Sequence, residues 1–329
     1  MKITQFLGAD LSKDSIDIFC HDLTSHVKIK NSVAGFKEML RWLSAQRIDK
    51  ASVFLVMEHT GLYSFHFENF LHQRQITFAK VSGLGIKRSL GLIRGKNDKI
   101  DAQRIARYAF EKSDVLVPEK PMDPGLQRLQ MLHTTRARLV KQRSSMLCAI
   151  KEYLVVLSPG DPLVKLQLKL VAGFTKQIRA VEQQIKQCIN SAGDQLSQDF
   201  QLLNSIKGVG PVVATATLVK TRNFSRFKNA RKFSCFCGSA PFDHTSGKSI
   251  KKRTRISHLA DKEMKTLLTQ SAKTAIQYDK ELKAFYERRI AMGKSKRSTI
   301  NIVRNKIIFR MFAVIKRQTP FVTEYSNVA

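Results

Sequence analysis

Acid is what this chain has least of. It sets 26 Asp and Glu against 57 Lys and Arg, a formal charge of +31, and an excess of that size implies a large polyanion as partner. Nucleic acid is the first candidate, because more than two basic side chains per acid exceeds what solubility alone requires. The deficit is deepest toward the C-terminus, where residues 201–329 carry 27 basic and 7 acidic side chains, against 19 and 13 in residues 1–120. Long apolar runs are missing too. Nothing approaches the roughly 18–20 uninterrupted residues of a membrane span, and MKITQFLGAD has no long apolar leader, so a cytoplasmic protein is expected. The few cysteines, Cys20, Cys148, Cys188, Cys235 and Cys237, form no even, closely spaced framework, which suits reduced thiols. Cys235 and Cys237, with His244 and His258 downstream, lack the C-x-x-C gap of a zinc knuckle and are expected to pack as small apolar groups. The N-terminal half also lacks a second glycine-rich phosphate loop, which argues against a phosphotransferase.

What is present begins with short strands. Residues 3–9, 15–23 and 26–30 predict three of them between polar turns, and apolar Val33, Phe36, Met39, Leu40 and Leu43 mark a helix over 33–46. The continuous run VFLVMEH, 53–59, predicts a strand buried on both faces. A helix over about 62–74, a strand over 76–81 and a helix from about Asp98 to Glu111 complete an α/β unit with a mixed sheet. Long helices follow. Leu126, Leu129, Val140, Leu147, Ile150, Leu154 and Leu157 keep heptad spacing although His133, Arg136 and Arg143 interrupt it. Val171, Phe174, Ile178, Val181, Ile185 and Cys188 repeat as a coiled-coil seam, and SPGDP at 158–162 separates the two runs, predicting a helical hairpin that serves as spacer or dimerisation arm. Three domains are expected: 1–120, 121–195 and 196–329.

Given how scarce acid is, its placement carries information. KNDKIDAQRIA, residues 96–106, holds Asp98 and Asp101 three apart, on one face of a helix beginning near Asn97, among Lys96, Lys99 and Arg104. Such a pair is costly without a cation. Asp10 in GADLSKD and Glu58 in VMEHTG end two of the expected strands, and strand-end acids joined by acids from a following helix are the oxygen ligands of a magnesium site. Paired metals of this kind clamp the attacking and leaving oxygens of a phosphodiester. Alternatively, Asp98 merely caps its helix and Asp10 merely ends its strand. Farther on, SIKGVGPVVA resembles a helix-hairpin-helix element, in which Gly208 and Gly210 let backbone approach a phosphate. The run KSIKKRTRIS supplies Lys248, Lys251, Lys252, Arg253 and Arg255 for a phosphate-facing surface.

In this order GADLSKD, MEHTGLY, KNDKIDAQRIA, IKGVGPVVA and GSAPFDHTSG resemble the DEDD transposases of insertion sequences of the one-ten type, the bridge-RNA-guided recombinases, over nearly the whole chain. The resemblance implies a ribonuclease-H-like N-terminal domain of the Holliday-junction-resolvase type, a coiled-coil hairpin and a mainly helical C-terminal transposase domain. It matches Asp10, Glu58, Asp98 and Asp101 to an acidic tetrad that binds Mg2+, and Ser246 in HTSGK to a nucleophilic serine that becomes attached to DNA. A serine hydroxyl is a weak nucleophile that needs activation, and Lys248, Lys251 and Arg253 are the cations at hand. The partners implied are donor and target DNA, a noncoding guide RNA and further copies of the chain, with the two centres combining across subunits. One departure stands out: after RIS this chain has HLA, with Ala260 where relatives commonly carry a glycine. The rival readings are a metal-dependent junction nuclease using the acids alone and a non-catalytic architectural DNA-binding protein.

Overall fold

The computed structural model describes residues 3–89, 97–191, 193–246 and 250–322, without the side chains of 243–246 and 250–255. The chain divides into two compact units, Met1–Pro121 and Met122–Ala329.

The first unit is built on a five-stranded sheet. Strands β1 (Gln5–Leu11), β2 (Ser15–Cys20) and β3 (Ser25–Lys30) form an antiparallel meander; α1 (Val33–Ala45), β4 (Val53–Glu58), α2 (Phe65–Gln73), β5 (Thr77–Val81), α3 (Gly83–Ser89) and α4 (Asp98–Glu111) follow. The strand order is β3-β2-β1-β4-β5, with β1, β4 and β5 parallel, so the mixed sheet expected from the sequence is present. Alternation along β1 sorts its side chains. Leu7, Ala9 and Leu11 join Phe36, Met39 and Leu43 of α1 and Phe67, Phe70 and Leu71 of α2 in one core. On the opposite face Phe54 and Val56 of β4 pack with Ile105 and Ala109 of α4. Helices therefore cover both faces, which explains the unbroken burial of Val53 to Met57 in β4.

Gly8 decides how closely α4 seats. A Cβ there would collide with the backbone of Ala102 and Ala106 in α4, so only glycine lets the helix lie down on β1 with its two alanines against the sheet. Asp10 lies two residues farther along the same strand, on the same face.

The second unit is almost entirely helical: α5 (Pro124–Tyr153), α6 (Pro162–Ser191), α7 (Asp194–Asn204), α8 (Pro211–Thr221), α9 (Ala230–Phe236), the hairpin strands β6 (Pro241–Ser246) and β7 (Ile250–Ile256), α10 (Lys262–Tyr278), α11 (Lys280–Ala291) and α12 (Lys296–Arg317). The expected helical hairpin is α5 and α6, broken between Tyr153 and Pro162. Leu126, Leu129, Val181, Ile185 and Ile189 share one core with α8, α10 and α12. Two of the three polar interruptions in α5 meet acids: Arg136 lies 2.7 Å from Glu182 of α6, and buried His133 lies 3.0 Å from Glu263 of α10. Toward the tip, Leu154, Val155 and Val156 and then Leu163, Leu166 and Leu170 are exposed. Among the described residues no helix is long and apolar enough to cross a membrane.

Candidate active site

Asp10 is the next-to-last residue of β1, and Glu58 is the last residue of β4. The two strands are parallel neighbours, with Ala9 opposite Met57, so both acids emerge at the same carboxyl end of the sheet, on the face that α4 covers. Asn97 caps α4, accepting from the amides of Lys99 at 2.8 Å and Ile100 at 3.2 Å. The capping task thus falls to Asn97 and not to Asp98, leaving the carboxylates of the first turn, Asp98 and Asp101, for other partners. Burial first, then the charges of Asp101, Asp98, Asp17 and Glu58, push the Asp10 carboxyl up to about 6. A second glycine makes room for Glu58, since a Cβ at Gly83 would strike its carboxylate.

Asp17 was not foreseen from sequence. It sits directly across from Asp10 in the β1–β2 ladder and is almost wholly buried, 2.8 Å from Nε2 of His26 and 3.2 Å from Nζ of Lys28. Lys28 in turn reaches Asp98 at 3.6 Å, while Arg104 holds Asp101 at 2.8 Å. The signal was an acid set among the apolar Ile16, Ile18 and Phe19, but its partners depend on cross-strand register.

Among the described residues no group of three or more His, Cys, Asp or Glu side chains stands close enough to hold a metal as it is. In kind the tetrad does fit a divalent cation. Its donors are all carboxylate oxygens, the ligands that hard Mg2+ prefers. The raised Asp10 carboxyl marks a point where negative charge lacks a counterion.

Of the other expected site residues, Lys99 and Arg104 lie on α4 and the described remainder in the second unit. Lys99 is exposed at the start of α4, and Lys96 and Lys248 fall outside the described residues. Ser246 ends β6, its backbone opposite Ile250 at the narrow end of the β6–β7 hairpin; Lys251, Lys252, Arg253 and Arg255 are carried by β7. Gly208, at φ +92°, presses against the backbone of Ser271 and Ala275 in α10, whereas Gly210 faces open space at the start of α8. Cys237 packs in the helical core, where burial pushes its thiol well above the usual range.

Comparison with known proteins covers both units. Residues 7–159 match the DEDD transposase model of the IS110 group, and residues 200–287 match the model described as the transposase IS116/IS110/IS902 family. Among relatives, the "Pilin gene-inverting protein" of Moraxella bovis is 28% identical over 329 residues, covering 96% of this chain and 97% of the relative. Its namesake in Moraxella lacunata matches over the same extent at the same identity. The "Transposase for insertion sequence element IS1111A" of Coxiella burnetii is 28% identical over 59% of this chain and 61% of its own length. Two family models matched in chain order, with relatives aligned from end to end, lead to one conclusion: the chain is a DNA transposase of the IS110 family.

Proposed function

We propose that this transposase is an RNA-guided DNA recombinase whose ribonuclease-H-like first unit supplies a Mg2+ site, held by Asp10, Glu58, Asp98 and Asp101, and whose second unit supplies the nucleophile, Ser246. The observation that carries the reading is the seating of α4 on β1 at Gly8, which sets two helix-start acids beside a strand-end Asp10 whose carboxyl is already pushed up to about 6. A divalent cation on these carboxylates would polarise a phosphodiester oxygen and offset charge developing on the phosphate. The chain's own part is to hold the acids in place, with Asp17, Lys28 and Arg104 fixing two of them, and to present Ser246 at the end of a basic hairpin.

In the step assigned to Ser246, its Oγ forms a bond to the scissile phosphorus as the bond to one DNA oxygen breaks. The serine proton is lost, and the departing DNA oxygen takes up a proton to become a hydroxyl. The phosphoserine link conserves the energy of the broken bond for rejoining. Donor and target DNA and a guide RNA are the partners this reading assigns to the positive excess. Pairing by the RNA would choose sequence while the protein reads backbone and shape. The exposed apolar tip of the α5–α6 hairpin is assigned to contact with further copies of the chain. The runner-up, a junction nuclease, would use the acids alone.

The test is the covalent adduct. Wild-type protein reacted with its element's DNA and RNA should yield protein-linked DNA. Ser246→Ala should bind both nucleic acids, because no charge is lost, yet form no adduct; Ser249→Ala should retain it. Free 5′-phosphate ends without an adduct, or an adduct that survives in Ser246→Ala, would favour hydrolysis at the acidic site. Exchange that is efficient and site-specific without RNA would remove the guide from the reading.

A further inference from the structure

A cavity of about 850 Å3 opens at the wide end of the β6–β7 hairpin, lined by Phe236, Phe242, Ile256, His258 and Leu259 among others. Two features separate it from a packing defect. Its large apolar side chains are offered to solvent, with Phe242 49% and Leu259 54% exposed, although burial would be the ordinary fate of such groups. Its inner wall is also rigidly backed. Phe236 stacks near-parallel on Phe233 with ring centroids 6.0 Å apart, leans on Phe227 at 5.3 Å, and carries the Arg226 guanidinium 5.2 Å from its centroid.

The surroundings favour one kind of occupant. Strand β7 reads IKKRTRI, and Phe242 lies opposite Arg255 in the ladder, so the apolar hollow is set in the most basic stretch of the chain. A flat π-system attached to a polyanion suits that combination. An aromatic face stacks the base, a cationic strand follows the phosphates, and an imidazole at the rim supplies a donor or acceptor for the base edge. A hydrophobic peptide would gain nothing from the charge. Phe242 stands four residues before Ser246 on the same strand, roughly 13 Å at the usual strand rise, within reach of nucleotides flanking the proposed cut.

We infer that this cavity takes up an unstacked nucleobase of the DNA strand cleaved at the β6–β7 hairpin, stacked on Phe242 and bordered by His258 and Leu259. The inference rests on the reading of that hairpin as the DNA-cleaving segment. It assigns recognition of a flanking base to the protein itself, apart from any pairing by RNA.

The test uses the full chain and single-stranded DNA from the element end, either intact or with abasic sugars at every position. Phe242→Ala should weaken binding of the intact strand about tenfold, in the range of a lost stacking contact, leave abasic binding unchanged, and keep the salt dependence of wild type. Phe242→Trp should restore affinity. A 5-iodouracil scan along the strand should cross-link at one position beside the cleavage site, into peptides carrying Phe236, Phe242 or His258. Equal losses on intact and abasic strands, no loss at all, or cross-linking by RNA of the same sequence in place of DNA would overturn the inference. Ser246→Ala separates the two readings: it removes the adduct but should leave base-dependent binding and the cross-link intact. Failure of the serine chemistry and failure of the pocket therefore give different results.

Discussion

At Asp10, burial and four neighbouring carboxylates push in one direction, and the sign of the consequence follows. The folded protein holds the Asp10 proton up to about pH 6, whereas an unfolded chain releases it near 3.8. Between those values the native state binds more protons, so stability without metal falls as pH rises through the window and stays at the lower level above it. Asp10→Asn should therefore raise the melting temperature in chelator at pH 7 and leave it nearly unchanged at pH 4, while abolishing strand exchange. Proton and cation compete for the same oxygens, so Mg2+ affinity should climb as pH rises toward about 6 and level off beyond it. Calorimetric titration of the wild type with Mg2+ across pH 5–8 checks this; a flat profile would remove Asp10 from the ligand set. Asp17 shows why sequence alone stopped short here. Its place beside Asp10 is a matter of strand register, which no local pattern encodes.

Helix α4 acts as a unit, and Gly8 is its seat. An added methyl there must lift the helix or bend the strand, at a cost of about 1–3 kcal/mol for overpacking, and the lift displaces Asp98 and Asp101 from Asp10. Gly8→Ala should lower the melting temperature by several degrees and reduce strand exchange more than it reduces DNA binding, since the most basic stretch, strand β7, belongs to the second unit. An activity loss matched by an equal loss of DNA affinity would point to unfolding instead. In α10, Glu263 receives His133, is opposed by its own partial burial, and receives Lys220 as well, which together hold its carboxyl down to about 2. A depressed carboxyl contributes stability that is fully present above its unfolded value of 4.5 and fades as pH falls toward 2. Glu263→Gln should thus destabilise at pH 7, by a difference that shrinks on acidification through that window; thermal melts at stepped pH read it directly.

The elements themselves were legible to the degree that their side chains repeat. β4 and α4 lie where the apolar runs place them, and the hairpin of α5 and α6 follows its leucines and the SPGDP break. Helix α3 was missed because GLGIKRS carries two glycines and one buried side chain, Ile86, too little to show a period. The β6–β7 ribbon was missed for a related reason: IKKRTRI has an apolar residue only at each end, so no alternation announces a strand. The turn before α8 is subtler. Its glycines read as a phosphate-binding signature, yet Gly208 is required by contact with α10, while Gly210 remains open. Ala260, the departure from the family pattern, fits because Gly238, at φ +64°, leaves it space where a Cβ would crowd the Ala260 methyl.

Across the whole molecule, charge is partitioned by use. In the second unit Asp261 caps α10 and pairs with Lys220, Asp279 caps α11 and pairs with Arg310, and Asp199 is buried among Gln195, Asn223 and Gln318. These acids are consumed by the fold, while Lys262, Lys265, Lys273 and Lys280 on the same helices are exposed, as a polyanion-binding surface requires. Each phosphate contact releases counterions, worth about 0.9 in the slope of log affinity against log salt for duplex DNA. Replacing Lys251, Lys252 and Arg253 together by Gln should therefore make that slope shallower by about 2–3. Lys220→Gln is the control: its ammonium lies 3.0 Å from both Asp261 and Glu263, so its loss should lower thermal stability and leave the slope alone. Binding isotherms of the full-length proteins on one duplex, at four or five salt concentrations, separate the two. A slope indifferent to the triple substitution, or equally sensitive to Lys220, would place the nucleic-acid surface somewhere other than strand β7.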